Sequence, residues 1–310
     1  MKINKPKFWN KNRSSLSFLL LPLSLIFQLV LYLQRKILKP KSFKIPTICV
    51  GNIYIGGTGK TPTSILIANE LSKYGKKPSI VKKFYKNHSD EHDLIRNYYN
   101  DLILPKKRSE GIVDAISKGS DIVILDDGFQ DFTINKSLNI ICFNQNQQLG
   151  NEFVFPAGPL RQKLSSLIDA QIVIINGKKD VAFENRILEI NREIQFFYSK
   201  FKPLNINLFK NKKLFAIAGI GNPENFYNLL NQYGCSIEKK LSFPDHYKFN
   251  RSEILNIIDY SLKNNLQIIM TEKDYFRIKD FNFKEIKYLK TDLEIENSSK
   301  LFNRILELYD

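Results

Sequence analysis

The stretch Ile48-Cys49-Val50-Gly51-Asn52-Ile53-Tyr54-Ile55-Gly56-Gly57-Thr58-Gly59-Lys60-Thr61-Pro62 restricts what this chain can become more than any other. An apolar run ends in glycines, Lys-Thr follows, and an apolar-periodic segment runs from Ile65 to Leu71. That order reads as strand, phosphate loop, helix. Glycines let backbone N–H groups curl around a polyphosphate, and a helix N-terminus adds partial positive charge. Lys60 is placed to reach the outer phosphates, and the Thr61 hydroxyl to bind Mg²⁺. The usual pattern has a glycine five residues before Gly59, where this chain has Tyr54. Gly56 and Gly57 take that role, so the loop is a variant. Tyr54, Ile55, Gly56, Gly57, Thr58, Gly59, Lys60 and Thr61 form the expected nucleotide-binding segment. The competing reading is a glycine-rich turn with a chance Lys-Thr. The strand before it and the helix after it weigh against that.

A second segment supplies what such a loop needs. Asp121-Ile122-Val123-Ile124-Leu125-Asp126-Asp127-Gly128-Phe129-Gln130 is an apolar strand ending in two carboxylates. An acid at a strand end can hold Mg²⁺ directly or through water. Side chains alternate along a strand, so Asp126 and Asp127 point different ways. Asp126 is expected to serve the metal and Asp127 the reacting centre. A solvated strand end or a simple Asp-Gly turn is the alternative.

Residues 14–34 carry no charge. A run of about 20 such residues is long enough to cross a bilayer core. Lys11 and Arg13 flank one end, and Arg35, Lys36 and Lys39 the other, so charge gives no orientation. Pro22, Ser24 and Gln28 weaken a straight spanning helix, which leaves a helix embedded in one leaflet as an equal reading. A buried helix of a soluble domain is a third. In either membrane reading the loop must face cytosolic nucleotide, which places the chain at the inner face of a cytoplasmic membrane.

The formal charge of +16 can attract phosphorylated or lipid partners, or nucleic acid. The lysines are scattered, without a basic block or an aromatic RNA signature, so no nucleic-acid partner is expected. Cys49, Cys142 and Cys235 lie far apart without CxxC spacing, which argues against a disulfide framework or zinc site.

Short apolar runs then alternate with helical patterns: 47–50, 79–81, 121–125, 139–143 and 172–175. That alternation predicts an α/β fold, a mainly parallel sheet of the P-loop NTPase type. A second, smaller α/β domain begins near Lys212, with strands at 214–218 and 267–270 and a helix over 223–233 closed by Gly234. The expected division is an N-terminal membrane helix (1–40), a P-loop domain (41–210) and a smaller domain (211–310) that closes the cleft.

These motifs resemble one family, the tetraacyldisaccharide 4′-kinases of lipid A synthesis. The segments 50–62 and 126–130 look like that family's phosphate loop and acidic strand end. Pro156-Ala157-Gly158-Pro159-Leu160-Arg161, Ala218-Gly219-Ile220-Gly221-Asn222-Pro223, Phe243-Pro244-Asp245-His246 and Thr271-Glu272-Lys273-Asp274 are similar to further signatures. The resemblance implies ATP with Mg²⁺ as donor and a membrane-borne acylated disaccharide 1-phosphate as acceptor. It implies catalytic roles for Lys60, Asp127, Asp90 and His246, with Asp90 as base and His246 as its orienting or relaying partner. It implies acceptor contacts by Tyr85, Glu91, Arg108, Gln130 and Arg161. Asp90 falls in a loop of the first domain and His246 in the second, so their pairing would require the domains to close together. His88 and His92 read as loop residues rather than ligands.

The chain also departs from the pattern. Lys82-Lys83-Phe84-Tyr85-Lys86 replaces a Ser-Arg-Gly-Tyr-Gly turn, and Ser89-Asp90-Glu91-His92 replaces a Gly-Asp-Glu-Pro run. Asp131 stands where His is usual and Gln162 where Glu is usual. If that Glu helps hold the metal, a negative ligand is missing here. A membrane-associated partitioning or targeting ATPase is the rival reading, but its loop usually begins with Lys where this chain has Ile55. An inactive tethering module is a third, opposed by the intact Lys60, Thr61 and Asp126.

Overall fold

The computed structural model describes residues 6–11, 14–86, 89–245 and 247–309. In chain order the elements are α1 (Ser15–Ile37), β1 (Thr47–Gly51), α2 (Lys60–Lys73), β2 (Pro78–Lys82), α3 (Ser89–Tyr98), β3 (Leu102–Ile103), α4 (Arg108–Ser117), β4 (Ile122–Asp126), β5 (Leu138–Asn144), β6 (Ile172–Asn176), α5 (Val181–Leu188) and β7 (Gln195–Pro203). They continue as β8 (Lys213–Ala218), α6 (Pro223–Gln232), β9 (Ser236–Ser242), α7 (Arg251–Lys263), β10 (Gln267–Thr271), α8 (Glu272–Ile278), β11 (Ile286–Leu289), β12 (Thr291–Ile295) and α9 (Ser298–Leu306).

The strands form an eight-stranded sheet, β12-β7-β6-β5-β1-β4-β2-β3, and a four-stranded sheet, β11-β10-β8-β9. From β3 through β7 every pairing is parallel, as are the pairings of the smaller sheet. Strands β1, β2, β4 and β5 are buried along their whole length. That is why they read as largely apolar runs without alternation, ended in β2 by Lys82 and in β4 by Asp126: a parallel sheet covered on both faces leaves no solvent face to alternate with.

The chain divides into two compact units. The first comprises Lys5–Phe84, Tyr99–Lys200 and Ile295–Asp310, and the second takes Tyr85–Tyr98 together with Phe201–Glu294. This differs from the expected division in three respects. The first helix belongs to the P-loop unit rather than standing apart. The segment carrying Asp90 leaves that unit for the other, and residues 295–310 return to the first. The reasons are tertiary: α3 packs on α8, and α9 packs on α2, where the Tyr74 and Phe302 rings lie 6.4 Å apart.

Helix α1 explains its own membership. Ser17 and Ser24 are buried while Leu19, Leu25 and Ile26 are exposed. The polar stripe therefore faces the protein and the apolar face points outward. Ser24 Oγ donates to the Val154 carbonyl at 2.8 Å and accepts from the Ala157 N–H at 3.0 Å. Asn151 Nδ2 donates to Ser17 Oγ at 2.9 Å, Phe27 packs against Phe155, and Arg35 pairs with Asp169 at 2.8 Å.

Candidate active site

β1 runs between β4 and β5, and the chain leaves its carboxyl end into the glycine loop. In a parallel sheet the strand ends share one edge, and ligands bind there where the strand order switches. Three residues meet at that level: Asp126 is in register with Val50 on one side and Lys82 on the other.

The loop is held from beneath. Asn52, fully buried, donates from Nδ2 to Thr58 Oγ1 at 3.0 Å, and its Oδ1 is buried with no hydrogen-bond partner among the described residues. The Ile55 N–H donates to the Pro159 carbonyl at 2.8 Å, and the Arg161 N–H to the Ile53 carbonyl at 2.7 Å. The Ile55 amide is thus engaged by the protein. The Tyr54 side chain packs in the core, and burial pushes its phenol up to about 12. Tyr54 and Ile55 therefore shape the loop from below, which leaves the open side to Gly56 through Thr61. Gly57 has free space where a side chain would project. Gly59 caps α2 at φ +91°, a left-handed conformation that favours glycine.

Two carboxylates face the loop, each with an ammonium. Asp126 is fully buried; its Oδ2 accepts from Thr61 Oγ1 at 2.9 Å and from Lys82 Nζ at 2.6 Å, and its Oδ1 from Ser64 Oγ at 3.3 Å. Asp127 Oδ1 lies 3.6 Å from Lys60 Nζ and accepts from Arg161 Nη1 at 2.8 Å. Burial alone would raise the Asp127 pKa. Lys60, then Arg161 and Lys82, outweigh it and hold the carboxyl well below the usual range. Asp127 sits at φ 60°, a left-handed conformation Asp tolerates better than most residues. Arg108 donates to the Asp127 carbonyl at 2.6 Å and pairs with Asp131 at 3.3 Å. Gln130 Nε2 donates to the Asn52 carbonyl at 2.8 Å and to Gln162 Oε1 at 3.1 Å. The first unit thus brings together Lys60, Thr61, Arg108, Asp126, Asp127, Gln130 and Arg161.

Among the described residues no cluster of three or more His, Cys, Asp or Glu side chains could hold a metal. A Mg²⁺ here would draw on one carboxylate, one hydroxyl and the phosphate oxygens of a nucleotide, a common way for this ion to bind. Thr61 and Asp126 fit that donor set.

The remaining expected residues belong to the second unit. Asp90 is in the first turn of α3, not in a loop, and is buried. Arg277 grips it through Nε (2.9 Å) and Nη2, while Nη1 reaches Asp274 at 2.6 Å and the Gly219 carbonyl at 2.7 Å. Lys273 Nζ lies 2.9 Å from Glu91, 3.4 Å from Asp245 and 3.7 Å from Asp90. Burial works against the Lys273 charge, but Glu91, then Asp245 and Asp90, hold it above the usual lysine range. Tyr85 is 45 % exposed, and His92 is a buried residue of α3 rather than a loop residue. His246 and His88 lie outside the described residues. Asp245, the neighbour of His246 in the chain, shares a unit with Asp90, so bringing these segments together requires no domain closure.

Sequence reasoning missed Lys82, Lys273 and Arg277 as site members. Lys82 carried a usable signal: a charge ending the buried run Ser79-Ile80-Val81 must find a partner. Arg277 had none, because its partner lies far away in the chain.

The family model for LpxK, tetraacyldisaccharide-1-P 4′-kinase, matches residues 16–310. A tetraacyldisaccharide 4′-kinase of Pelagibacter ubique is 40 % identical over 315 residues, covering 99 % of both chains. That of Rickettsia canadensis is 33 % identical over 327 residues, covering 99 % of this chain and 98 % of its own. A solved structure of LpxK from Aquifex aeolicus, an "apo" form in complex with ATP, has the same fold. Its TM-score is 0.72 at 22 % identity, over 95 % of this chain and 100 % of that one.

Proposed function

The chain belongs to the tetraacyldisaccharide-1-P 4′-kinase family, and from that premise we propose that it transfers the γ-phosphoryl group of ATP to the 4′-hydroxyl of a tetraacyldisaccharide 1-phosphate, forming lipid IVA in lipid A synthesis. The observation that carries this reading is the paired carboxylate–ammonium arrangement at the mouth of the glycine loop. Phosphoryl transfer asks mainly for positioning and charge neutralisation. The loop amides and the α2 N-terminus hold the phosphates. Lys60, whose ammonium lies 3.6 Å from Asp127, turns to the transferring group. Bound Mg²⁺ would neutralise phosphate charge, with Thr61 and Asp126 holding it. Arg108 and Arg161 offer guanidinium groups to a phosphate, and Gln130 fixes Arg161 relative to the loop. Asp90 accepts the hydroxyl proton with His246 as partner, and Arg277 and Lys273 fix the position of Asp90.

Helix α1 supports action at a membrane, at the cytoplasmic face of the bacterial inner membrane where ATP is available. It is long and apolar enough to cross a bilayer, yet it lies against its own unit from Ser17 to Arg35. A helix so docked is suited to lie in one leaflet, its outer face among acyl chains.

The test is transfer of label from γ-labelled ATP to the disaccharide by detergent-purified protein. Label in the lipid at the 4′ position is expected; label only in free phosphate, independent of lipid, would establish the ATPase reading instead. Lys60→Ala and Asp126→Ala should each lose on the order of 10²-fold or more in rate while remaining folded. Asp90→Asn should lower turnover with little change in ATP affinity.

A further inference from the structure

Asp126 already holds a cation of the protein's own. Lys82 closes β2 in register with it, its side chain is 6 % exposed, and its ammonium stands 2.6 Å from Oδ2. That is the oxygen to which Thr61 also donates, so Oδ2 already accepts from a hydroxyl and from an ammonium. The surrounding charge points the same way. Lys60, Lys82, Arg108 and Arg161 face Asp126, Asp127 and Asp131, four cations against three carboxylates. A bare dication approaching this edge meets net positive charge, whereas a polyphosphate reverses the sign.

We propose that Lys82 is a built-in counter-ion of Asp126 that denies the site to free divalent metal, so that metal enters only together with the nucleotide's phosphates. This rests on the reading that Thr61 and Asp126 form the metal site. A buried ammonium persists only when paired, and the pair keeps the Asp126 side chain in place until phosphate charge draws Lys82 or the metal into a new arrangement. Lys82 is a positioning residue for the metal rather than a group that touches the reacting atoms.

The experiment follows Mn²⁺ binding by electron paramagnetic resonance on the full chain in detergent, without nucleotide. Lys82→Met keeps the apolar stem and removes the charge. It should bind Mn²⁺ at least about tenfold more tightly than the parent, and adding Asp126→Asn should abolish the gain. Equal affinity in parent and folded Lys82→Met overturns the proposal. If Lys82→Met does not fold, the parent alone decides. Mg²⁺ should raise its unfolding temperature only when a non-hydrolysable ATP analogue is present; a comparable rise with Mg²⁺ alone overturns the inference. A separate arm isolates the underlying reading: Mn²⁺ bound with the analogue should be lost in Asp126→Asn. Retention there removes Asp126 from the metal site and with it this inference. Loss there, with no effect of Lys82→Met, overturns the inference alone.

Discussion

Asp127 shows how one residue can answer to several neighbours. Its backbone N–H bonds the Val50 carbonyl at 2.9 Å, its carbonyl accepts from Arg108, and its side chain meets Lys60 and Arg161. The carboxyl is held below its ordinary range, so the unfolded chain takes up a proton before the folded one does. Its contribution is therefore complete above the ordinary carboxylate pKa of about 4 and is lost as pH falls toward the folded value. Asp127→Asn should flatten the acid limb of a plot of unfolding temperature against pH, with little change near neutrality in its slope. An acid limb identical to the parent's would mean that the cluster does not couple to folding. At this scale the motif residues were legible because Gly-Gly-Thr-Gly-Lys-Thr and Asp-Asp-Gly carry their chemistry within a few positions. Lys82 was read only as a departure from a turn, because what gives it meaning is the β2–β4 register, which no local pattern contains.

At the scale of the element, α1 inverts the amphipathic rule. A surface helix ordinarily turns its apolar stripe inward, but here Ser17 and Ser24, seven residues apart and so on one face, are the buried pair. An uncharged run reads the same whichever face is docked, which is why spanning and one-leaflet insertion could not be separated from sequence. The docking also changes the natural test. Deleting the helix would remove partners of Asn151, Val154 and Ala157, just upstream of Arg161, and so disturb the nucleotide side as well. Paired charges on the outer face are cleaner. Leu19→Glu with Ile26→Glu should lower sedimentation with anionic vesicles at least about tenfold while ATP affinity stays within about twofold. Ser24→Leu should instead destabilise the fold by about 1–3 kcal/mol, because it takes from the buried Ala157 N–H its acceptor and leaves the Val154 carbonyl with the Gly158 N–H alone. Undiminished vesicle binding by the double glutamate variant would place the membrane contact elsewhere.

At the scale of the molecule, the chain passes between its two units four times among the described residues, near residues 84, 98, 200 and 294. The central strands were legible because each is a compact apolar run, while β9 and β12, with charged residues among their apolar ones, were not; nor were the crossings, because α3 and α9 are short amphipathic helices whose partners lie far along the chain. A cut at the boundary read from sequence, between 210 and 211, therefore divides both cores. Fragment 211–310 would lose α3, leaving Arg277, whose side chain is 8 % exposed, without Asp90, and Lys273 without Glu91. Stripping one partner from a buried ion pair costs roughly 3–5 kcal/mol. Fragment 1–210 would lose α9 and the residues after it. Leu301, Phe302 and Ile305 are buried, and Tyr309 donates to Asp121 at 3.0 Å. Each such apolar side chain contributes about 1.5–3 kcal/mol on burial. Either loss is comparable to the 5–15 kcal/mol by which a domain is stable at all. Neither fragment should unfold cooperatively in urea when expressed alone, whereas fragment 201–294 joined through a flexible linker to residues 85–98 should recover a transition. Two independently cooperative fragments from the 210/211 cut would contradict this account of what holds each unit together.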